Sequence, residues 1–216
     1  MIEEELHPVF QQVGECRLVA VVMIDSPGDA VALAEALLAG GIRAMELTLR
    51  TENAIEGLRR IVAEGPGMMV GAGTVLFEHQ VREVLDAGAA FGVAPGTNGK
   101  ILQAARDGGL PFAPGITCPS DIDLALEFGC KVLKFFPAEA SGGLQYLSSI
   151  ASPYRHLGLR YIPLGGINEE NLPSYASSPD VLAVGGSWLA PSELVNKRDW
   201  GGIQQLARQT AELVDR

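Results

Sequence analysis

Residues 91–117 read FGVAPGTNGKILQAARDGGLPFAPGIT, and one structural unit occurs there nearly twice. A short apolar run, Phe91 to Ala94, passes into the small-residue turn APGTN (94–98). The stretch NGKILQAARDGG that follows carries apolar residues at helical spacing and ends in glycines suited to a helix C-cap. A second apolar run, Phe112 to Ala113, then passes into APGIT (113–117). Gly96 and Gly115 stand nineteen positions apart, which is the length of one strand followed by one helix.

Outward from this stretch the same turn recurs as GAGT (71–74), LGGIN (164–168) and VGGSW (184–188), with Gly165 and Gly185 twenty positions apart. Each closes an apolar run rich in Val, Ile, Leu or Phe. Eight strands are predicted: Leu18 to Ile24, Ala44 to Leu49, Met69 to Ala72, Phe91 to Ala94, Phe112 to Ala113, Lys131 to Phe135, Tyr161 to Leu164 and Val181 to Val184. The stretches AVALAEALLAGG, TENAIEGLRRIVAEG, HQVREVLDAGA and PSDIDLALEFGC supply further helical crossovers. Crossovers between parallel strands are right-handed, and eight of them close a barrel as readily as they build an open sheet. Glycines recurring at the carboxyl ends of strands favour the barrel, because they crowd a rim where backbone can approach a ligand. The expectation is one (β/α)8 TIM barrel over residues 1–216 with a short N-terminal helix.

The formal charge of -10 leaves no basic footprint for nucleic acid or an anionic membrane surface, so a small-molecule partner is expected. Cys16, Cys118 and Cys130 form neither a disulfide framework nor a C-x-x-C pair, which fits a reducing cytoplasm. The N-terminal MIEEELHPVFQQVGECR lacks the basic flank and apolar run of a signal peptide, and no segment reaches roughly 18 apolar residues.

The segment KVLKFFPAEA places Lys134 within an apolar run, on the face shared by Val132 and Phe136; Lys131 opens the run on the other face. Lys100 and Lys197 stand at a helix start and in the charged stretch NKRD, so Lys134 alone is committed to an interior. Burial disfavours an ammonium and yields the neutral amine that a Schiff base needs. The alternative is a packed stem whose head reaches water. In AMELTLR, alternation puts Glu46, Thr48 and Arg50 on one face. That face offers a carboxylate for proton transfer and a guanidinium for gripping a carboxylate, with an internal Glu–Arg ion pair as the alternative.

The loops after the seventh and eighth barrel strands commonly bind phosphate through backbone N–H groups. Here they hold Gly165, Gly166, Gly186 and Ser187. Thr74 is either a hydroxyl at the rim or a cap for the helix beginning near Phe77 or Glu78. Cys118, Trp188 and Trp200 read as packing residues. His7, His79 and His156 are scattered without metal-ligand spacing, which disfavours metal-dependent chemistry. GAG at 71–73 lacks the spacing of a dinucleotide fingerprint.

Taken together, MELTLRTENA, VGAGTVL, APG, LKFFPAEASGG, GGI and VGGSWL resemble the 2-keto-3-deoxy-6-phosphogluconate (KDPG) and 4-hydroxy-2-oxoglutarate (KHG) aldolases over nearly the whole chain. The resemblance implies a class I aldolase that needs no cofactor or metal and acts on a small 2-keto acid. It implies Lys134 as the Schiff-base lysine and Glu46 as the proton-transfer residue. Arg50, Thr74 and Pro95 would hold the pyruvate half, and Gly166, Gly186 and Ser187 the distal phosphate, with Gly165 a further substrate-binding residue, in a homotrimer. The chain departs from the family in carrying Leu164 where a Thr is expected, which leaves stereoisomer and chain-length preference open. Other readings are a pyruvate aldolase of different acceptor, such as a galactonate-type epimer enzyme, and a non-catalytic barrel that senses a phosphorylated sugar acid.

Overall fold

The computed structural model describes residues 6–65 and 67–214. In chain order the elements begin α1 (Pro8–Cys16), β1 (Leu18–Val22), α2 (Ala30–Ala39), β2 (Ala44–Thr48), α3 (Ala54–Glu64), β3 (Met69–Gly73) and α4 (Glu78–Asp86). They continue with β4 (Gly92–Val93), α5 (Gly99–Gly108), β5 (Phe112–Ala113), β6 (Gly115–Ile116), α6 (Pro119–Glu127), β7 (Val132–Phe135) and α7 (Gly143–Ala151). Last come β8 (Arg160–Pro163), α8 (Leu172–Ala176), β9 (Val184–Gly186), α9 (Ser192–Asn196) and α10 (Trp200–Val214). Local chemistry sets the ends of these elements. In α5 the Asn98 side chain accepts from the Lys100 N–H at 3.0 Å, and Gly109 ends the helix in the left-handed region at φ 70°.

The fold is α/β, and every strand pair is parallel. The ladders form two sheets, a six-stranded half-barrel ordered β5-β4-β3-β2-β1-β9 and a three-stranded sheet ordered β6-β7-β8. This differs from the single eight-stranded ring expected above. The expected fifth strand, Phe112–Ala113, is found as β5, but beyond Pro114, which has no N–H to give to a ladder, the chain continues as a further strand, β6, in the other sheet. The Pro114 carbonyl still accepts from the Lys134 N–H at 2.8 Å. The eighth strand also shifts: it runs Val184–Gly186 in register with Leu18 to Ala20, while Val181 makes only an isolated parallel bridge to Tyr161. The two glycines read as a turn are strand positions, kept as glycine because the Leu164 and Trp188 side chains fill the space that Cβ atoms would occupy. The first and second strands end at Val22 and Thr48, short of the expected Ile24 and Leu49. Helices α7 to α10 had no counterpart in the sequence reading.

Strand alternation sorts the interior into two apolar clusters. Ala20, Val22, Met45 and Leu47 pack against the helices, meeting Leu33 and Leu37 of α2 and Ile61 of α3. Val19, Ala44, Val93, Val132, Ile162 and Leu164 belong to the other cluster, together with Phe10 and Val13 of α1. Each of the fully buried Val, Leu, Ile, Phe and Met side chains among these contributes about 1.5 to 3 kcal/mol. Glu46 and Lys134 lie two residues beyond Ala44 and Val132, on the same strand face and further toward the carboxyl ends. The apolar floor therefore sits beneath a polar site.

Candidate active site

Register places the two central side chains. Glu46 of β2 is paired with Val21 of β1 and Gly71 of β3, and Lys134 of β7 with Gly115 of β6 and Ile162 of β8. Lys134 Nζ donates to Glu46 Oε1 at 2.9 Å and to Oε2 at 3.1 Å. Both residues are buried, with relative exposures of 5% and 2%. A pair so withdrawn from water survives only when each charge meets the other closely, and loss of one partner costs about 3 to 5 kcal/mol. Gly73 of β3 makes the room: a Cβ there would sit 2.1 Å from Glu46 Oε1 and 2.4 Å from its Cγ. The Lys134 ammonium also lies 5.4 Å from the centroid of Phe136.

Thr48, the next residue on the Glu46 face, is buried and donates to the Val22 carbonyl at 3.1 Å, which fixes β2 against β1. The internal Glu46–Arg50 ion pair does not form; Arg50 is exposed and its Nε donates to Thr74 Oγ1 at 3.3 Å. Thr74 adopts a left-handed φ of 59° and stands at the end of β3. The helix-capping alternative is not realised. Gln80 Oε1 instead accepts the N–H groups of Leu76 and Phe77 at the start of α4. Pro95 is exposed in the loop after β4, and its carbonyl carbon and oxygen would each lie 2.2 Å from a Cβ at Gly115, so this loop rests on the strand neighbouring Lys134.

Gly165, Gly166, Gly186 and Ser187 line one cavity of about 480 Å³ together with Ile167, Asn168, Trp188, Pro191 and Ser192. Gly165 and Gly166 have φ of 94° and 83°, successive left-handed values that favour glycine. The N–H groups of Gly165, Gly166 and Ile167 meet no acceptor among the described residues. No lysine or arginine lines this cavity, so its donors are neutral amides and hydroxyls. Trp188, read from sequence as packing, both lines the cavity and lies against Gly186; a Cβ at Gly186 would fall 1.4 Å from its ring. A larger cavity of about 510 Å³ lies among α1, α5 and the loop before β7, near Val132 and away from Glu46.

Sequence reading missed Glu139 and Tyr175. Tyr175 Oη donates to Glu139 Oε1, joining α8 to the loop after β7. Burial, and then the Glu139 carboxylate, push the Tyr175 phenol well above its ordinary range, so it stays a neutral donor. Glu139 stood within the quoted motif KFFPAEA, but Tyr175 had no local signal.

Parallel strands that bring a buried lysine and a carboxylate together at one end define an enzyme site suited to carbonyl chemistry through an amine. The comparisons narrow this class. The sequence model of the KDPG and KHG aldolase family matches residues 9–206. The KHG/KDPG aldolase of Escherichia coli (strain K12) is 43% identical over 195 residues, covering 90% of this chain and 91% of that one. The KDPG aldolase from Legionella pneumophila, solved with pyruvate captured at low pH as a covalent carbinolamine intermediate, is 37% identical with a TM-score of 0.87. It covers 94% of this chain and 96% of that one. The 2-keto-3-deoxy-6-phosphogluconate aldolase of Zymomonas mobilis ZM4, solved with 3-phosphoglycerate, is 38% identical with a TM-score of 0.87 and 94% coverage of each chain. The chain belongs to the KDPG and KHG aldolase family and is a lyase.

Proposed function

We propose that this chain is a class I aldolase that cleaves KDPG to pyruvate and glyceraldehyde 3-phosphate, and KHG to pyruvate and glyoxylate. The observation that carries this reading is the buried contact of 2.9 Å between Lys134 Nζ and the Glu46 carboxylate. The covalent carbinolamine in the Legionella pneumophila relative supports it.

Proton transfer across that contact gives a neutral amine and a neutral acid. The amine attacks the C2 ketone, and the carbinolamine hydroxyl leaves as water with the proton held by Glu46. The resulting iminium is the electron sink: Glu46 takes the C4 hydroxyl proton, the C3–C4 electrons move into the iminium, and the aldehyde departs. Glu46 returns that proton to C3 of the enamine, and water hydrolyses the pyruvyl imine to free Lys134. Arg50, Thr74 and Pro95 hold the pyruvate half. Gly165, Gly166, Gly186 and Ser187 hold the phosphate, supported by the unaccepted N–H groups of the β8 loop and by 3-phosphoglycerate in the Zymomonas mobilis relative.

The proposal includes a single (β/α)8 barrel domain, supported by chain continuity through Pro114 and by the Tyr161–Val181 bridge. It also includes a homotrimer in the cytoplasm, both carried over from the sequence reading; no helix among the described residues is long and apolar enough to cross a membrane. One observation favours a second reading. Leu164 is buried against Gly185 and offers no hydroxyl to substrate, as a pyruvate aldolase of different acceptor stereochemistry would tolerate. Pyruvate release should be followed for KDPG, its galactonate-type epimer and KHG, with and without EDTA. Turnover of KDPG that survives EDTA supports the proposal, turnover of the epimer alone shifts it to the second reading, and turnover of none overturns both.

A further inference from the structure

The loop that carries the phosphate cradle is tied to the Schiff-base strand by contacts that no step above uses. After β7 the Ala138 N–H donates to the Leu164 carbonyl at 2.7 Å and the Glu139 N–H to the Gly165 carbonyl at 3.0 Å. The Glu139 stem lies along the cradle itself, since a Cβ at Gly166 would come within 2.6 Å of Glu139 Cβ. The carboxylate is then gripped by Tyr175 of α8, a residue only 2% exposed that lies in the same β8-to-β9 connection as the cradle. With the Leu164 N–H donating to the Phe135 carbonyl at 2.9 Å, the two elements thus meet at three main-chain bonds and one side-chain bond. Gly143 completes the enclosure, where a Cβ would stand 3.2 Å from Glu139 Oε1 and 3.4 Å from Tyr175 Oη.

From this geometry we infer that Glu139 and Tyr175 form a positioning clasp, which holds the Gly165–Gly166 loop at a fixed distance from Lys134 and so sets the affinity for the phosphorylated end of the substrate. The inference rests on the reading of that loop as the phosphate cradle. Without the clasp the three main-chain bonds still join the loops, but the Glu139 chain beyond Cβ is free to rotate off Gly166, which loosens the loop that carries the N–H donors. A neutral cradle depends on the position of that loop, because no cationic side chain lines the cavity to make up for displaced donors. Glu139 also brings a negative charge beside an anion site, and the hydrogen bond from Tyr175 holds that charge on the α8 side.

The test compares KM and kcat for KDPG and for unphosphorylated KHG in wild type, Tyr175→Phe, Glu139→Gln and Glu139→Ala, with thermal unfolding of each. Tyr175→Phe removes one oxygen and should raise KM for KDPG about tenfold, the scale of one hydrogen bond to a charged group, while KM for KHG moves less than about twofold. Glu139→Ala should reproduce that split, and Glu139→Gln, which still accepts from Tyr175, should restore most of the affinity. Equal losses on both substrates, or a lowered unfolding temperature with an unchanged ratio of KM values, would overturn the clasp. The underlying reading is checked separately: inorganic phosphate should compete with KDPG in the wild type. Absence of that competition overturns the cradle, whereas competition with no effect of Tyr175→Phe overturns only the clasp.

Discussion

Replacing Gly73 by Ala tests the site through a residue that does no chemistry. The added Cβ would stand 2.1 Å from Glu46 Oε1, 2.4 Å from Cγ and 2.6 Å from Cδ, all inside the 3.0 Å that real Cβ contacts respect. Rotation of the carboxylate alone cannot relieve this, because Cγ clashes as well. The Glu46 side chain must move by about 1 Å, and misplacement on that scale costs roughly 10² in rate. Gly73 has no left-handed φ, so alanine fits the strand backbone, and the smaller entropy of its unfolded chain returns about 0.4 to 1 kcal/mol. The assay is pyruvate release from KDPG alongside thermal unfolding, with Gly201→Ala as control, where the nearest atom would be 3.9 Å away. Turnover should fall about 100-fold in a protein that remains folded. A Gly73→Ala enzyme within about threefold of wild type would refute the claim that the position of Glu46 governs the reaction.

Glu46→Gln keeps size and hydrogen-bonding shape but cannot accept a proton, so kcat should fall by roughly 10² to 10⁴ with folding retained. Breaking the buried pair should cost up to about 3 to 5 kcal/mol in either case, so turnover decides: a near-normal kcat would make the carboxylate only a counter-ion to Lys134. Burial pushes the Cys130 thiol up from 9.0 to about 11. Between those values the unfolded chain releases a proton that the folded protein keeps, so this contribution to stability is complete below the lower value and lost as pH rises through the upper one. Unfolding temperatures from about pH 8 to 11 should therefore fall more steeply in wild type than in Cys130→Ala, and parallel curves would contradict this.

Lys134 and Glu46 could be read from sequence because strand alternation is local: two residues from Val132 and two from Ala44 were enough to put each on an interior face. Their contact was not legible, since 88 residues separate them and they stand in different sheets, so only the packing of the two sheets against each other brings them together. The glycines show the same limit. GAG and VGG read as turns because small residues punctuate loops, yet Gly73 and Gly186 are strand positions left bare for Glu46 and for the Trp188 ring. Pro114 was visible, but its effect on the ladder depends on which neighbour would have received its N–H. Arg50 and Thr74 were named separately and prove to touch. Tyr175 lies in a five-residue helix, and its partner Glu139 is 36 positions away, so no periodicity could have joined them.

The central claim is that Lys134 forms the imine, and trapping tests it most directly. Incubation with pyruvate and borohydride, followed by digestion and mass mapping, should place one pyruvyl adduct on Lys134, because the imine is reducible and Lys134 is the lysine buried against Glu46. The adduct should vanish in Lys134→Arg. A label on Lys131, whose Nζ is held by the Leu157 carbonyl at 3.3 Å, or no label on any lysine, would contradict the account.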